Sequence, residues 1–227
     1  MFLYAIVNEK QQIIEYGLSE ESVKNRKGVK NRIVRYRKTT PPFVDKRFFT
    51  VQEDVPIIQN GELAQSWKVE KLPVEESIQR CTQSLNAQAK QHIQSYLQHQ
   101  DWGETYEECL SELQNTAIST ETKILYFLKP KIPNLTLTQI RENIALYIAG
   151  QKTAEDITNE LTQAGLTKEE INQYFDLLKS AIEVAKLINW VEEIWDYEEQ
   201  IEAQIQNTKT IEELEQIMNN IQFPSIE

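Results

Sequence analysis

Few side chains in this sequence stand where they could do chemistry. His92 and His99 are its two histidines. Seven residues apart on one helical stretch, they are separated by two turns, about 10.5 Å, too far to share a metal ion. The glutamate pairs Glu107-Glu108 and Glu192-Glu193 are adjacent, so on a helix each pair diverges by about 100° and cannot converge as an acid and a base. There is no His-Glu-x-x-His pair, phosphate loop, dinucleotide fingerprint or nucleophile elbow, and six glycines leave little material for one. The acids read as solvated helix faces. The expectation is a protein that is not an enzyme and that holds no metal or cofactor. Cys81 and Cys109 fall at apolar positions of helical stretches and read as buried free thiols of a reducing compartment.

What remains is the chemistry of recognition. Residues 1–50 hold 11 Lys and Arg against 5 Asp and Glu, and the rest of the chain holds 13 against 30, so a segment of net +6 precedes one of −17. The acidic body argues against general nucleic-acid affinity. Eight basic residues, Lys24, Arg26, Lys27, Lys30, Arg32, Arg35, Arg37 and Lys38, crowd into 15 positions and form either a local phosphate-binding patch or a basic solvated strand face. The alternation Ile33-Val34-Arg35-Tyr36-Arg37 favours the second, with Arg35 and Arg37 on the solvent side and available to an acidic surface of the same chain or of a partner. At the other end, Trp190 and Trp195 are candidate interface anchors, since buried aromatics dominate interface energies, with a place in the chain's own core as the alternative.

These residues need elements to position them. With 40 % apolar residues, 6 glycines and 7 prolines in 227, the chain has material for a core and few tight turns. The longest apolar clusters fall short of the roughly 20 residues that span a bilayer, and the start lacks the basic region and cleavage site of a signal peptide. Residues 1–73 read as a β-rich docking unit of five short strands, a small antiparallel sheet or open barrel. Phe2–Val7 and Gln12–Tyr16 make a first hairpin, and Ser19 opens a helical turn. Thr39-Thr-Pro-Pro42 breaks regular structure. Asn60-Gly61 between two apolar alternations predicts a tight type I′ hairpin turn. Trp67 lies in the strand that follows, and Pro73 with Glu75 and Glu76 marks a helix start.

Residues 74–227 read as a helical domain, giving the α+β class. Val74, Ile78, Cys81, Leu85, Ala89, Ile93 and Leu97 place one stripe along a helix of about 25 residues. Asp101-Trp102-Gly103 ends it, and a second helix carries Tyr106, Cys109, Leu110 and Leu113. Residues 117–166 read as an inserted helical module with a short helix over 121–128, one capped by Thr136 and a third over 156–164. Thr167-Lys-Glu-Glu170 is a capping box that opens a long helix over 167–206. At about 57 Å such a helix either breaks near Asn189 or projects to meet partners. Its heptad-like stripe admits self-association, though a bundle core within one chain is the more frequent outcome. Thr210 and Glu213 open a terminal helix.

Trp67-Lys-Val-Glu-Lys-Leu-Pro-Val-Glu-Glu76 resembles a segment of small proteins encoded near the tail-fibre genes of tailed bacteriophages, in which a tryptophan strand, a Leu-Pro and paired acids lead into a long helix. Asn189-Trp190-Val-Glu-Glu-Ile-Trp195-Asp-Tyr197 and Thr208-Lys-Thr-Ile-Glu-Glu-Leu214 through Phe223-Pro224 are similar to that group's closing helices. The resemblance covers about residues 48–115 and 180–225, and residues 117–166 depart from it. It implies a structural or adaptor component of a virion tail, made in a host cytoplasm, that links tail or baseplate to a fibre. Its partners would be other tail, baseplate or fibre proteins, with self-association through the long helix as a further contact. It carries over no catalytic residue. The alternatives are a fibre-assembly chaperone absent from the finished particle and a regulator that binds DNA through Lys24–Lys38.

Overall fold

The computed structural model describes residues 3–8, 10, 12–24, 32–59 and 62–226, and of Arg32 and Ile33 the backbone alone. Asn60-Gly61 lies outside the described residues, as do Arg26, Lys27 and Lys30 of the basic cluster. The protein is α+β: a five-stranded sheet precedes a helical body. It divides into two compact units, Met1–Arg80 with Lys209–Ile211, and Cys81–Thr208 with Glu212–Glu227.

The first unit contains β1 (Leu3–Val7), β2 (Ile13–Leu18), α1 (Glu20–Lys24), β3 (Arg32–Arg37), β4 (Phe49–Gln59) and β5 (Glu62–Lys71). Asn8 shapes the first turn, its Oδ1 accepting from the N–H groups of Lys10 at 2.9 Å and Gln12 at 2.8 Å, the local bonding that suits asparagine to turns. Ser19 caps α1, accepting from the Ser22 N–H at 3.2 Å. The strand order is β2-β1-β3-β5-β4. β1 pairs antiparallel with β2 and with β3, and β4 pairs antiparallel with β5, Gln59 standing opposite Glu62. The contact of β3 with β5 is parallel, through Tyr36 with Leu63 and Arg37 with Ala64.

The sheet is therefore mixed where an all-antiparallel one was expected. Had β4 settled beside β3, every pair would be antiparallel. Instead residues 38–48 carry the chain outward, β4 takes the edge, and the hairpin returns β5 alongside β3 in the same direction. Alternation within a strand fixes which face is buried and is silent about which strand lies next to it. Ala5, Val7, Val34, Tyr36 and Leu63 form the buried cluster of this sheet. Tyr36 donates its hydroxyl to Glu53 at 3.2 Å. Burial first, then that bond and the charge of Glu53, push its pKa up to about 12.

The helices are α2 (Val74–Gln98), α3 (Tyr106–Leu128), α4 (Leu137–Ile148), α5 (Ala154–Gln163), α6 (Lys168–Asn207) and α7 (Ile211–Asn219). Past the end of α2, Asp101 adopts a left-handed φ of 59° and the Trp102 N–H closes on Leu97 O at 3.3 Å, a helix-ending arrangement of the Schellman type. Gly103, at φ 133°, is required sterically: a Cβ there would lie 2.9 Å from Glu108 Cβ and 3.1 Å from Cys109 N. Capping boxes open four helices, at Thr105 with Glu108, Thr136 with Gln139, Thr153 with Asp156 and Thr167 with Glu170.

One expectation about the helices changes, and the long helix proves continuous. α3 runs without interruption from Tyr106 to Leu128, where a separate short helix over 121–128 was expected. The stretch Asn115-Thr-Ala-Ile-Ser-Thr120 is rich in weak helix formers, but each costs only about 0.7 kcal/mol or less in a helix. Thr120 also turns its hydroxyl back onto Thr116 O and Ala117 O. α6 passes Asn189 unbroken over 40 residues, about 60 Å. It supplies two clusters in succession. Ile171, Tyr174, Leu178 and Ala181 pack with Ile124, Leu128, Ile140, Ile144, Ile157 and Leu161. Val184, Trp190, Val191 and Ile194 pack with Ala89, Ile93, Leu97, Cys109 and Leu113. The apolar stripe of the long helix is thus used inside the unit.

Candidate partner-binding surfaces

The two tryptophans of α6 have different surroundings. Five residues apart, they point about 140° away from each other on the helix. Trp190 is 3 % exposed. Its Nε1–H donates to Pro224 O at 2.9 Å, and its ring lies 4.9 Å from Tyr96 and 5.7 Å from His92. Phe223 completes this cluster, stacked on His92 at 5.4 Å and edge-on to Tyr197 at 5.6 Å. The Gln222 N–H donates to the Tyr197 hydroxyl at 3.0 Å. As an interface anchor, then, Trp190 is corrected to a core residue that holds residues 222–224 against α2 and α6. His92 serves the same cluster.

Trp195 is 39 % exposed. Its Nε1–H donates to the Tyr106 hydroxyl at 3.1 Å, and Lys90 Nζ sits 5.4 Å from the centre of the Tyr106 ring. Burial, with the charges of Glu198 and Glu107 behind it, raises the Tyr106 pKa and outweighs the lowering by the Trp195 bond. The phenol is thus neutral at ordinary pH and presents a lone pair to the indole. Glu192, Glu193, Asp196 and Glu199 stand exposed on the same helix. The result is an aromatic pair on an acidic surface. The sequence marked Tyr106 only as a residue of the second helix; its place directly after Thr105, inside the Thr-x-x-Glu capping box, was the available signal for an exposed helix start.

Arg35 and Arg37 both project to solvent, alternating with the buried Val34 and Tyr36, as the alternation predicts. Arg37 donates to Gln59 Oε1 at 3.3 Å. Lys24, by contrast, is paired with Glu20 at 2.7 Å. Of the eleven large apolar side chains exposed among the described residues, seven lie in the first unit: Ile14, Tyr16, Phe43, Val55, Ile57, Ile58 and Val69. Phe43 follows Pro41-Pro42 directly and is wholly exposed.

The second unit carries a groove of about 500 Å³ between α3, α4 and α6, floored by Ala117, Ile118, Ile144, Ala145, Ala181 and Ala185. Arg141 and Glu121 bridge its rim at 2.8 Å. Cys81 and Cys109 are buried thiols that form no disulfide, and burial raises the Cys109 pKa above its ordinary value. Among the described residues no group of His, Cys, Asp and Glu is arranged to hold a metal, and no helix is long and apolar enough to cross a membrane. No family model, no curated protein and no solved structure matches this chain.

Proposed function

We propose that this protein is a structural adaptor of a bacteriophage or phage-like tail, joining tail or baseplate to a fibre. The observation that carries the adaptor reading is the division of surface chemistry between the two units. Among the described residues the sheet unit carries seven of the eleven exposed large apolar side chains together with the Arg35 and Arg37 face, and the helical unit exposes carboxylates around the Trp195 and Tyr106 pair. A chain with two chemically distinct surfaces on two compact units is suited to engage two different partners. The tail setting is supported by the residue patterns at 67–76 and 189–224. It is tested by mass spectrometry of purified particles from the source virus: a tail component occurs in fixed proportion to the other tail proteins. Presence in infected-cell lysate with absence from the particles would replace this reading with that of an assembly chaperone.

A further inference from the structure

The sheet of the first unit is incomplete at one defined place. β3 pairs with β5 only as far as Arg37 and Ala64, whereas β5 continues to Lys71 alongside β4. The chain tries to follow: Thr39 donates its hydroxyl to Gln65 O at 2.9 Å, and its N–H reaches Gln65 Oε1 at 3.2 Å. Pro41 and Pro42 then end the attempt, because proline has no N–H for a ladder and restricts the residue before it. The direction of the β5 main-chain groups follows from two bonds. Leu72 N–H donates to Phe48 O on the β4 side at 2.9 Å, so even-numbered residues face β4. Gln65 O faces Thr39, so Trp67 and Val69 turn their N–H and C=O groups to the side that β3 has left. No described strand neighbours them there.

Beside this open edge lies a groove of about 580 Å³ lined by Pro41, Pro42, Phe43, Phe49, Val51 and Trp67. Trp67 is held in place by donating Nε1–H to Thr39 Oγ1 at 2.9 Å. The charged residues that line the groove are Lys46 and Arg80, and no carboxylate does. Arg80 is fixed by Glu76 at 2.7 Å and by Lys46 O at 2.6 Å, which leaves the exposed ammonium of Lys46 facing solvent.

We propose that the β5 edge at Trp67 and Val69 receives an extended segment of a partner protein as an added strand, and that this segment alternates apolar with acidic residues. Strand addition supplies main-chain hydrogen bonds, and alternate side chains enter the neighbouring apolar groove. The cationic rim selects acidic residues at the positions between. Fully exposed Phe43 closes over the segment from the proline-stiffened lip. This inference goes beyond the tail reading and does not depend on it.

The test uses the full-length chain labelled with nitrogen-15 and the capped heptapeptide Val-Glu-Val-Glu-Phe-Glu-Val. Its counterparts have lysine for glutamate, or N-methyl groups on alternate residues. The acidic peptide is expected to shift the Trp67 and Val69 amide signals and slow their solvent exchange about tenfold or more. The N-methylated peptide, unable to bond along the edge, binds about tenfold more weakly. Lys46→Glu, at an exposed side chain, weakens the acidic peptide about fivefold and improves the lysine peptide. Val69→Pro removes an N–H that the β4 ladder does not use and abolishes binding. The proposal is overturned if the two charged peptides bind the unaltered protein equally, if the shifts fall outside residues 39–51 and 64–71, or if no shift occurs up to about 1 mM peptide. Self-association through this edge in the absence of peptide, seen by light scattering, also overturns it by making a second copy the occupant. Absence of the protein from virus particles would leave this result untouched, and failure here would leave particle membership untouched.

Discussion

In the helical unit a threonine at the start of α3, α4, α5 and α6 accepts from the backbone of its own helix, while the residue three positions on returns the bond. In the sheet unit β5 runs past the end of its neighbour, and main-chain groups at Trp67 and Val69 turn to the side that β3 has left. A helix closes its main-chain bonds within a few residues of sequence, and only its ends need help. A strand depends on whatever lies beside it. Unspent binding capacity therefore collects in the sheet unit, and the helical unit keeps its apolar residues for itself. Trp190, buried on Pro224, and Phe43, wholly exposed, mark the two extremes.

The sharpest way to break this contrast is to remove apolar mass from each unit. Ile194→Ala, at a side chain with no exposure, is expected to cost about 2–5 kcal/mol in urea denaturation. Ile57→Ala, at a side chain 54 % exposed, should stay within about 0.5 kcal/mol. Equal losses would mean that the edge of the sheet is covered in solution. Gly103→Ala comes next, since the new Cβ meets Glu108 Cβ and the backbone conformation disfavours it. A loss of about 1–3 kcal/mol is expected, read from the same denaturation curves.

How far the sequence reveals this architecture follows from the range over which each feature is determined. The capping boxes at Thr136 and Thr167 and the start of α2 after Pro73 are decided within four residues and can be read directly. So can the alternation that puts Arg35 and Arg37 outside and Val34 and Tyr36 inside. The parallel contact of β3 with β5 is decided by where the 38–48 connection delivers the chain, which no local pattern records. The continuity of α3 through residues 115–120 is a case of packing overriding mild propensity. The surfaces were half legible: aromatic character marked Trp190 and Trp195 alike, and only tertiary neighbours separate the core residue from the exposed one.

Smaller effects refine the contrast. Thr153→Ala removes the cap of α5 and is expected to cost about 1 kcal/mol, measured by the change in helical circular dichroism on heating. Backbone N–H groups of Thr105 and Glu104 hold the Glu108 pKa low, the Thr153 side chain and N–H hold that of Asp156 low, and the Thr167 N–H holds that of Glu170 low. Carboxylates depressed in the folded state contribute stability above their ordinary values. They lose it as pH falls through the depressed ones. Acid titration of the melting temperature should thus show a decline below the ordinary glutamate range, and the triple change Glu108→Gln, Asp156→Asn and Glu170→Gln should flatten it. Ser77 in α2 is fully buried, and its hydroxyl has no hydrogen-bond partner among the described residues. Ser77→Ala should be neutral or stabilise by up to about 1 kcal/mol, the smallest shift in this series.

The uninterrupted α6 has a consequence for cooperativity. Because one rod of 40 residues supplies both clusters of the helical unit, neither can melt without releasing a helix on which the other depends. Heating should register them as a single event. Glu183→Pro, between Ala181 of one set of contacts and Val184 of the other, would uncouple them into two events, so the length of this helix sets how many transitions the unit shows.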